Sequence, residues 1–166
     1  MGTGKSAVGK VLANRLNKKF IELDALIEQK AGKSIPEIFQ QDGEIAFRAL
    51  EIQTTKDVAQ EKRVVIACGG GVVLNRINID RLRQEAVIVY LTVLPNVILK
   101  RTSGSKTVRP LLNVADQRER VKALLKFRKP FYERAADITI DTSRLTVEGV
   151  AEQIIDSLQK DESFDI

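Results

Sequence analysis

The sequence predicts an α/β fold with three layers, in which a parallel sheet carries helices on both faces. Two observations point to it. Short runs rich in β-branched residues alternate along the chain with segments whose apolar residues recur at helical spacing. Two of these runs, 63–68 and 86–93, are apolar on both faces, as strands buried between two helical layers are. Such alternation arises from right-handed strand–helix–strand crossovers, so the strands are expected to be parallel.

The first predicted helix begins in a glycine-rich turn, Gly2-Thr3-Gly4-Lys5-Ser6, and carries apolar residues at helical spacing up to position 16. Gly-Lys-Ser opening a helix is the second half of a phosphate-binding P-loop. Glycines allow backbone N–H groups to face phosphate oxygens, the lysine reaches the β- and γ-phosphates, and the serine ligates Mg²⁺. An ordinary flexible turn is the alternative, and the amphipathic pattern behind it disfavours that reading. We therefore expect a P-loop NTPase-like fold that uses ATP as co-substrate and Mg²⁺ as cofactor, with nucleotide contacts from Gly2, Thr3, Gly4, Lys5, Ser6 and Ala7.

The start of the chain departs from the full P-loop pattern. Counted back from Gly4, the first glycine of the motif would lie two positions ahead of Met1, and the strand that feeds the loop would lie ahead of that. We expect a late start codon or a fragment, so that four strands are visible and a fifth belongs upstream. A chain without that strand is expected to be poorly stable and nearly inactive, because its neighbours would keep unpaired backbone groups.

The remaining elements follow in chain order. The predicted strands are 19–24, 63–68, 86–93 and 137–142. After the loop helix, a new helix is expected behind Ser34, which with Glu37 forms a capping box. The other predicted helices are 25–30, 43–60, 78–84, 95–101, 116–126 and 147–158. Residues 102–108 have the composition of a mobile loop, and residues 160–166 that of a disordered tail.

The amino-acid composition argues against several classes of structure and function. At 166 residues with 43% hydrophobic content, residues 1–166 are expected to form a single domain. No apolar run reaches the roughly 18 residues that a membrane span needs. The single cysteine, Cys68, forbids an intramolecular disulfide and fits a reducing compartment, and the absence of histidine excludes histidine-based catalysis or zinc binding. The net charge of +5 is dispersed and accompanied by only six Phe and two Tyr, which disfavours nucleic acid as a partner.

Five separated motifs specify more than nucleotide binding. They are Gly2-Thr3-Gly4-Lys5-Ser6; Phe20-Ile21-Glu22-Leu23-Asp24 with Ile27-Glu28; Gly43-Glu44 with Phe47-Arg48 and Glu51; Gly69-Gly70-Gly71; and Arg109-Pro110-Leu111-Leu112 with Arg128-Lys129-Pro130-Phe131-Tyr132. In this order the motifs resemble those of shikimate kinase, a small P-loop enzyme that transfers the ATP γ-phosphate to a hydroxyl of shikimate. The resemblance covers essentially the whole chain.

The resemblance implies a substrate-binding region of about 24–60, with further substrate contacts from Gly70, Gly71 and Arg128. Asp24 matches the family aspartate that holds the substrate hydroxyls and accepts a proton, although alone it would equally fit a helix N-cap. Arg48 and Arg128 match the arginines that bind the shikimate carboxylate, for which a planar guanidinium is suited. Alone, Arg48 would more often be a solvated helix arginine. Gly70 and Gly71 would let backbone approach the substrate, and Glu51 can brace Arg48 from one helical turn away.

The resemblance also implies the ATP side. Residues of about 101–115 match the family lid, where Arg109 stabilises charge on the transferred phosphoryl group. Arg101 matches an arginine on the adenine face, and Arg144 lies where the family closes the adenine pocket, although the family proline there is not evident. Glu22 stands where the family usually has an aspartate that orients water on Mg²⁺. The expected catalytic residues are Lys5, Asp24 and Arg109, and the expected metal-site residues are Ser6 and Glu22.

The interpretation is an ATP-dependent, Mg²⁺-using kinase that converts shikimate to shikimate 3-phosphate in aromatic amino-acid biosynthesis. A gluconate- or nucleotide-directed kinase is one alternative, and Arg48, Arg128 and the three glycines argue against it. The other is a non-catalytic nucleotide-binding relative, favoured only by the late start and by Glu22. We expect a cytoplasmic monomer with ATP and shikimate as its small-molecule partners and no nucleic-acid or membrane partner. An organellar targeting segment ahead of Met1 stays an open alternative.

Overall fold

The computed structural model describes residues 3–94, 97 and 117–160, which form four strands and seven α-helices. The strands are β1 (Lys19–Glu22), β2 (Val64–Ala67), β3 (Val89–Thr92) and β4 (Ile138–Asp141). The helices are α1 (Lys5–Arg15), α2 (Leu23–Ala31), α3 (Ile35–Gln41), α4 (Gly43–Val58), α5 (Arg76–Leu82), α6 (Gln117–Ala135) and α7 (Val147–Gln159). A 3₁₀ turn, Val72–Leu74, follows β2. Apart from residue 97, the helix predicted at 95–101 lies outside the described residues, as do the lid at about 101–115 and the tail after Lys160.

The four predicted strands are confirmed, each shorter than predicted. The difference matters at β1, which ends at Glu22, so that Leu23 and Asp24 belong to helix α2 instead of the strand. Both Leu23 and Ile27 are fully buried on this helix, and their burial explains why the helix begins one residue ahead of Asp24. The capping box at α3 is confirmed, with Ser34 and Glu37 bonding each other's backbone N–H groups.

Helix α6 corrects a second boundary. The sequence predicted an end near Lys126, ahead of Pro130, but the helix continues to Ala135. Proline inside a helix normally costs a hydrogen bond and a steric clash. Here the second half of the helix carries a buried face, with Arg128 5% and Ala135 4% exposed, packed against the 3₁₀ turn and β3. This packing stabilises the helix on both sides of Pro130. No helix in the described residues is both long and apolar enough to cross a membrane.

The strands pair in two parallel pairs. Lys19–Glu22 of β1 aligns with Val64–Ala67 of β2, and Val89–Thr92 of β3 aligns with Ile138–Asp141 of β4. Parallel pairing is as predicted. In the described chain, however, the pairs form two separate two-stranded sheets, where the sequence suggested one sheet. The break falls between β2 and β3.

Two hydrophobic cores lie on opposite faces of these strands. Successive residues of β2 alternate between them, with Val64 and Ile66 in the first core and Val65 in the second. The first core is formed by α2 to α5 with the end of α6, and its fully buried members include Leu23, Ile27 and Ile38. The second core lies among α1, α7 and the β3–β4 pair, and its most buried members are Val150, Ala151 and Ile154.

An apolar cleft separates the two strand pairs. It has a volume of about 750 Å³ and is lined by all four residues of β2 and by residues 87–91, which include the first three residues of β3. Helices α1 and α7 line it on one face, and α5 and the end of α6 line it on the other. Both β2 and β3 line this cleft, and they belong to different two-stranded sheets.

Candidate active site

A cavity of about 580 Å³ lies at the N-terminus of α1. Gly4 caps this helix with φ 85° and ψ 17°, a left-handed conformation that favours glycine, and Lys5 is the first helical residue. The helix therefore directs the unpaired N–H groups of its first turn, and the positive end of its dipole, at the cavity. A cavity of this size lies within the range of sites that hold small molecules. Its walls are Thr3, Gly4, Lys5, Ser6, Ala7, Val8, Thr142, Leu145, Thr146, Val147 and Val150.

The loop after β4 forms the far wall of this cavity. The Thr142 hydroxyl donates to the Thr92 carbonyl at 3.0 Å and lies 3.4 Å from the Thr3 carbonyl, which ties the loop to the start of the chain. The Thr3 hydroxyl oxygen is buried and has no hydrogen-bond partner among the described residues. An unsatisfied hydroxyl at the mouth of a helix N-terminus is suited to a phosphate oxygen.

Ser6 and Glu22 meet beside this cavity. The Ser6 hydroxyl donates to Glu22 Oε1 at 2.5 Å, although the residues are 16 positions apart. Glu22 is the last residue of β1, so its side chain leaves the carboxyl end of the strand, next to the start of α1. Both side chains offer oxygen donors, which Mg²⁺ prefers. The longer glutamate side chain therefore still reaches the serine of the P-loop.

Asp24 lies in the first turn of α2, two residues beyond the end of β1. Burial raises the pKa of its carboxyl, the nearby Lys5 opposes this shift, and Glu22 adds to it. A carboxylate whose pKa is raised is a better proton acceptor than an exposed one, and Lys5 keeps it close to a positive charge. The raised pKa and the nearby Lys5 make Asp24 a candidate general base.

Arg48 is held between two carboxylates of its own helix. Its Nη1 donates to Glu51 at 2.8 Å, and its Nη2 donates to Glu44 at 3.0 Å. Burial by itself would lower the pKa of Arg48, but the two carboxylates outweigh burial and raise it. Glu51 is only 1% exposed, and burial raises its pKa against the attraction of Arg48. The predicted brace from Glu51 is present and holds the Arg48 guanidinium in place.

Arg128, on α6, is buried and only 5% exposed. Its Nε has no hydrogen-bond partner among the described residues. One turn later, the Tyr132 hydroxyl oxygen accepts a hydrogen bond from Arg128, and the hydroxyl donates to the Gly70 carbonyl at 2.6 Å. The Tyr132 ring stacks on Tyr90 with centroids 4.8 Å apart and planes 18° apart. A buried cation with an unmet donor is suited to an anionic ligand, because leaving it unpaired is costly.

The three glycines after β2 bring these groups together. A Cβ built on Gly69 would lie 2.5 Å from Asp24 Oδ1, and one on Gly71 would lie 2.2 Å from Arg48 Nη1. A Cβ on Gly70 would lie 3.2 Å from the Tyr132 hydroxyl and 3.4 Å from Arg128 Nη1. Each glycine thus makes room for a different polar side chain, and the proposed base and both arginines converge on one loop at the carboxyl edge of β2.

The structure therefore brings most of the predicted site residues close together. Lys5, Ser6, Glu22 and Asp24 lie together, and Arg48 and Arg128 meet at the glycine loop next to Asp24. The Arg144 side chain is exposed on the loop beside the helix cavity and is not among its walls. Arg101 and Arg109 lie outside the described residues, and Gly2 does too.

Two residues were not assigned roles from the sequence. Tyr132 was noted only as part of a motif, although its spacing of four from Arg128 on a helix was a usable signal. Gly69 was left out of the predicted site, and nothing in the sequence distinguishes it from its two neighbours. Only its approach to Asp24 shows why a side chain is excluded there.

Comparison with known proteins agrees with this geometry. Residues 1–159 match the family model described as shikimate kinase. The shikimate kinase of Caldanaerobacter subterraneus is 50% identical over 155 residues, 93% of this chain and 90% of that protein. That of Thermodesulfovibrio yellowstonii is 46% identical over 160 residues, 96% of this chain and 91% of that protein.

Solved structures agree as well. A structure of Acinetobacter baumannii shikimate kinase in complex with shikimate is similar to this chain with a TM-score of 0.93 at 35% identity, covering 98% of this chain and 90% of that one. The Aquifex aeolicus shikimate kinase has a TM-score of 0.82 at 33% identity, covering 96% of this chain and 92% of that one. The family model and the relatives together show that this chain belongs to the shikimate kinase family of ATP-dependent kinases.

Proposed function

We propose that this chain transfers the γ-phosphoryl group of ATP to a hydroxyl of shikimate through the residues described above. The observation that carries the proposal is the pair of guanidinium groups at the glycine loop. Arg128 is buried with an unmet donor, Arg48 is braced by Glu51, and both lie beside the carboxylate of Asp24. A small ligand with a carboxylate at one end and a hydroxyl at the other fits this arrangement.

The arginines orient the substrate. Arg48 and Arg128 would each donate to the substrate carboxylate, and guanidinium–carboxylate bonds of this type fix direction as well as position. Backbone at Gly70 and Gly71 lets the ring come close to the loop. With the carboxylate held at this end, the ring hydroxyls face Asp24, which makes orientation a large part of the catalytic effect.

Asp24 takes the proton. The substrate hydroxyl oxygen forms a bond to the γ-phosphorus as the bond between that phosphorus and the β,γ-bridging oxygen breaks, and ADP leaves with that oxygen. The hydroxyl proton passes to the Asp24 carboxylate, whose pKa is raised by burial. The products are phosphorylated shikimate and ADP, and Asp24 returns its proton to solvent before the next turnover.

The phosphates bind at the start of α1. The N–H groups of the first helical turn and the Lys5 ammonium face the β- and γ-phosphates, and the neighbouring contacts come from Thr3, Gly4 and Ala7. Ser6 and Glu22 would hold Mg²⁺, which neutralises phosphate charge when bound. We also propose that Arg109 covers the transferred group and that Arg101 and Arg144 contact the adenine side, as the family resemblance implies. A cytoplasmic monomer remains our expectation.

The proposal is tested with Arg48→Lys. A coupled ADP-release assay should show a shikimate KM raised about 10-fold or more, because lysine cannot make the paired bonds to a carboxylate. Nucleotide affinity measured without shikimate should stay within about 2-fold. Gluconate and nucleoside monophosphates serve as competing acceptors for the unaltered chain. Wild-type shikimate kinetics in Arg48→Lys, or faster turnover of gluconate, would contradict the assignment.

A further inference from the structure

The three carbonyl groups of the glycine loop accept hydrogen bonds from two different parts of the chain. The carbonyls of Gly69 and Gly71 each accept a bond from the N–H group three residues later, at 3.2 and 3.0 Å. The carbonyl of Gly70, between them, accepts its bond from the Tyr132 hydroxyl at 2.6 Å, 62 residues away on α6. Helix α6 therefore holds the middle of the loop through one side-chain atom.

A loop of three glycines needs such a bond more than an ordinary turn does. Without Cβ atoms, the peptide planes of glycine rotate over a wider range than those of other residues. The glycines are nevertheless required, because a Cβ on Gly69 would collide with Asp24 and one on Gly71 would collide with Arg48. The loop makes room for these two side chains and in return has little rigidity of its own.

The hydrogen-bonding chemistry fixes the direction of the Tyr132 hydroxyl. A guanidinium can only donate, a carbonyl can only accept, and a hydroxyl can do both. The hydroxyl oxygen accepts from Arg128, so its single proton is directed at the Gly70 carbonyl. Burial raises the pKa of Tyr132 against the attraction of Arg128, so the hydroxyl keeps this proton at neutral pH. Donation runs in one direction, from Arg128 through Tyr132 to Gly70.

The Tyr132 ring is held by regular elements on both sides. It lies on α6 one turn after Arg128, and it stacks on Tyr90 of β3 with planes 18° apart. Side chains carried by helices and strands are placed more precisely than side chains carried by loops. The hydroxyl is therefore a fixed point against which the glycine loop can be positioned.

The bond to Gly70 also orients the next N–H group. A trans peptide points its N–H opposite to its C=O, and no cis peptide bond occurs among the described residues. The Gly70 carbonyl and the Gly71 N–H belong to one peptide. A Cβ on Gly70 would lie 3.4 Å from Arg128 Nη1, and one on Gly71 would lie 2.2 Å from Arg48 Nη1. This peptide therefore joins the glycine next to one arginine to the glycine next to the other.

We propose that Tyr132 is a positioning residue for the phosphoryl transfer. Its hydroxyl holds the Gly70–Gly71 peptide in one orientation and thereby sets the placement of Arg48 and Arg128 relative to each other. The inference rests on the proposed function, in which the two arginines receive the substrate carboxylate. Tyr132 acts through these groups and not on the reacting atoms, so its loss weakens substrate binding more than it slows the chemical step.

The first test is Tyr132→Phe, which removes the hydroxyl and keeps the ring. The shikimate KM should rise about 3- to 10-fold, while kcat and the ATP KM stay within about 2-fold. The melting temperature should fall by no more than about 4 °C, the effect of one hydrogen bond in a domain of this size. Tyr90→Phe is the matched control in the stacked pair and should leave the shikimate KM unchanged. A lower kcat at an unchanged KM, or an equal KM rise in Tyr90→Phe, would overturn the proposal.

The second test combines Tyr132→Phe with Gly70→Ala. The alanine Cβ would lie 3.2 Å from the Tyr132 hydroxyl, closer than an ordinary contact, and phenylalanine has no hydroxyl there. Gly70→Ala should therefore lower kcat/KM for shikimate several-fold in the unaltered chain and less than about 2-fold in the Tyr132→Phe background. Equal losses in both backgrounds would show that the two residues act independently and would overturn the proposal.

The third test measures the loop without substrate. If Tyr132 holds the loop, Tyr132→Phe should speed amide exchange at Val72 and Leu74, whose N–H groups bond to the loop carbonyls, by about 3-fold or more. Unchanged exchange would overturn the proposal even if shikimate turnover is normal. Absence of shikimate turnover in the unaltered chain would instead refute the proposed function, so the two failures are distinguishable.

Discussion

Replacing Gly71 by alanine tests the glycine loop directly. The new Cβ would lie 2.2 Å from Arg48 Nη1 and 2.9 Å from Arg48 Cζ. Atoms cannot remain that close, and the arginine terminus is the part that can move. We expect the backbone to keep its course while the guanidinium is pushed off the substrate position. Arg48 would then lose the bond to Glu51 that now measures 2.8 Å.

The size of the effect follows from the bonds that are lost. A hydrogen bond to a charged group is worth about 1.5–3 kcal/mol, and every 1.4 kcal/mol is about tenfold in a rate or binding constant. Displacing Arg48 should therefore lower kcat/KM for shikimate about 10- to 100-fold. Most of the loss should be in the shikimate KM, because Arg48 contacts the carboxylate and not the reacting hydroxyl.

The assay is steady-state ADP release at saturating ATP, together with nucleotide binding measured without shikimate. Gly70→Ala is the comparison in the same loop, since its Cβ would meet the Tyr132 hydroxyl at 3.2 Å and Arg128 Nη1 at 3.4 Å, and not Arg48. Its effect on kcat/KM should therefore be the same with and without Arg48→Ala. Combining Gly71→Ala with Arg48→Ala should add little to the effect of Arg48→Ala alone, because both act on one side chain.

The reasoning fails if Gly71→Ala retains the shikimate KM of the unaltered protein. It fails equally if the alanine lowers kcat/KM by the same factor in the Arg48→Ala background, since the glycine would then act through something other than Arg48.

Three further predictions concern single side chains. Asp24→Asn should lower kcat about 100-fold or more. Burial raises the pKa of Asp24 in the folded chain above its value in the unfolded chain. The contribution of Asp24 to folding stability is therefore complete at pH values below the unfolded pKa and is lost as the pH rises through the folded pKa. Asp24→Asn should therefore melt higher than the unaltered protein at pH 7, with the difference closing towards pH 3; a lower melting temperature at pH 7 would contradict it. Tyr132→Phe should raise the shikimate KM about 3- to 10-fold, because the hydrogen bond to the Gly70 carbonyl is lost. Tyr90→Phe changes the other ring of the stacked pair and should leave the shikimate KM unchanged. Omission of Mg²⁺ should abolish turnover, and Ser6→Ala should raise the Mg²⁺ concentration needed for half-maximal rate; an unchanged requirement would remove Ser6 from the metal site.

Local features could be predicted because their causes lie within a few residues. Gly-Lys-Ser at the start of an amphipathic stretch predicts a phosphate loop, and the capping box of Ser34 and Glu37 is satisfied within three residues. The contact of Arg48 with Glu51 needs only one turn of helix. The alternation of strands and helices predicted the α/β fold for the same reason, because periodicity is a local property.

Contacts between distant segments were decided by tertiary structure. Tyr132 reaches Gly70 across 62 residues, and Asp24 meets Gly69 only because β1 and β2 pair side by side. Helix α6 continues through Pro130 because the burial of one helix face outweighs the cost of a proline inside a helix. The break between β2 and β3 is of the same kind. Whether β2 and β3 pair depends on the distance between them. That distance is set by two hydrophobic cores, whose described residues range from Val8 to Leu158.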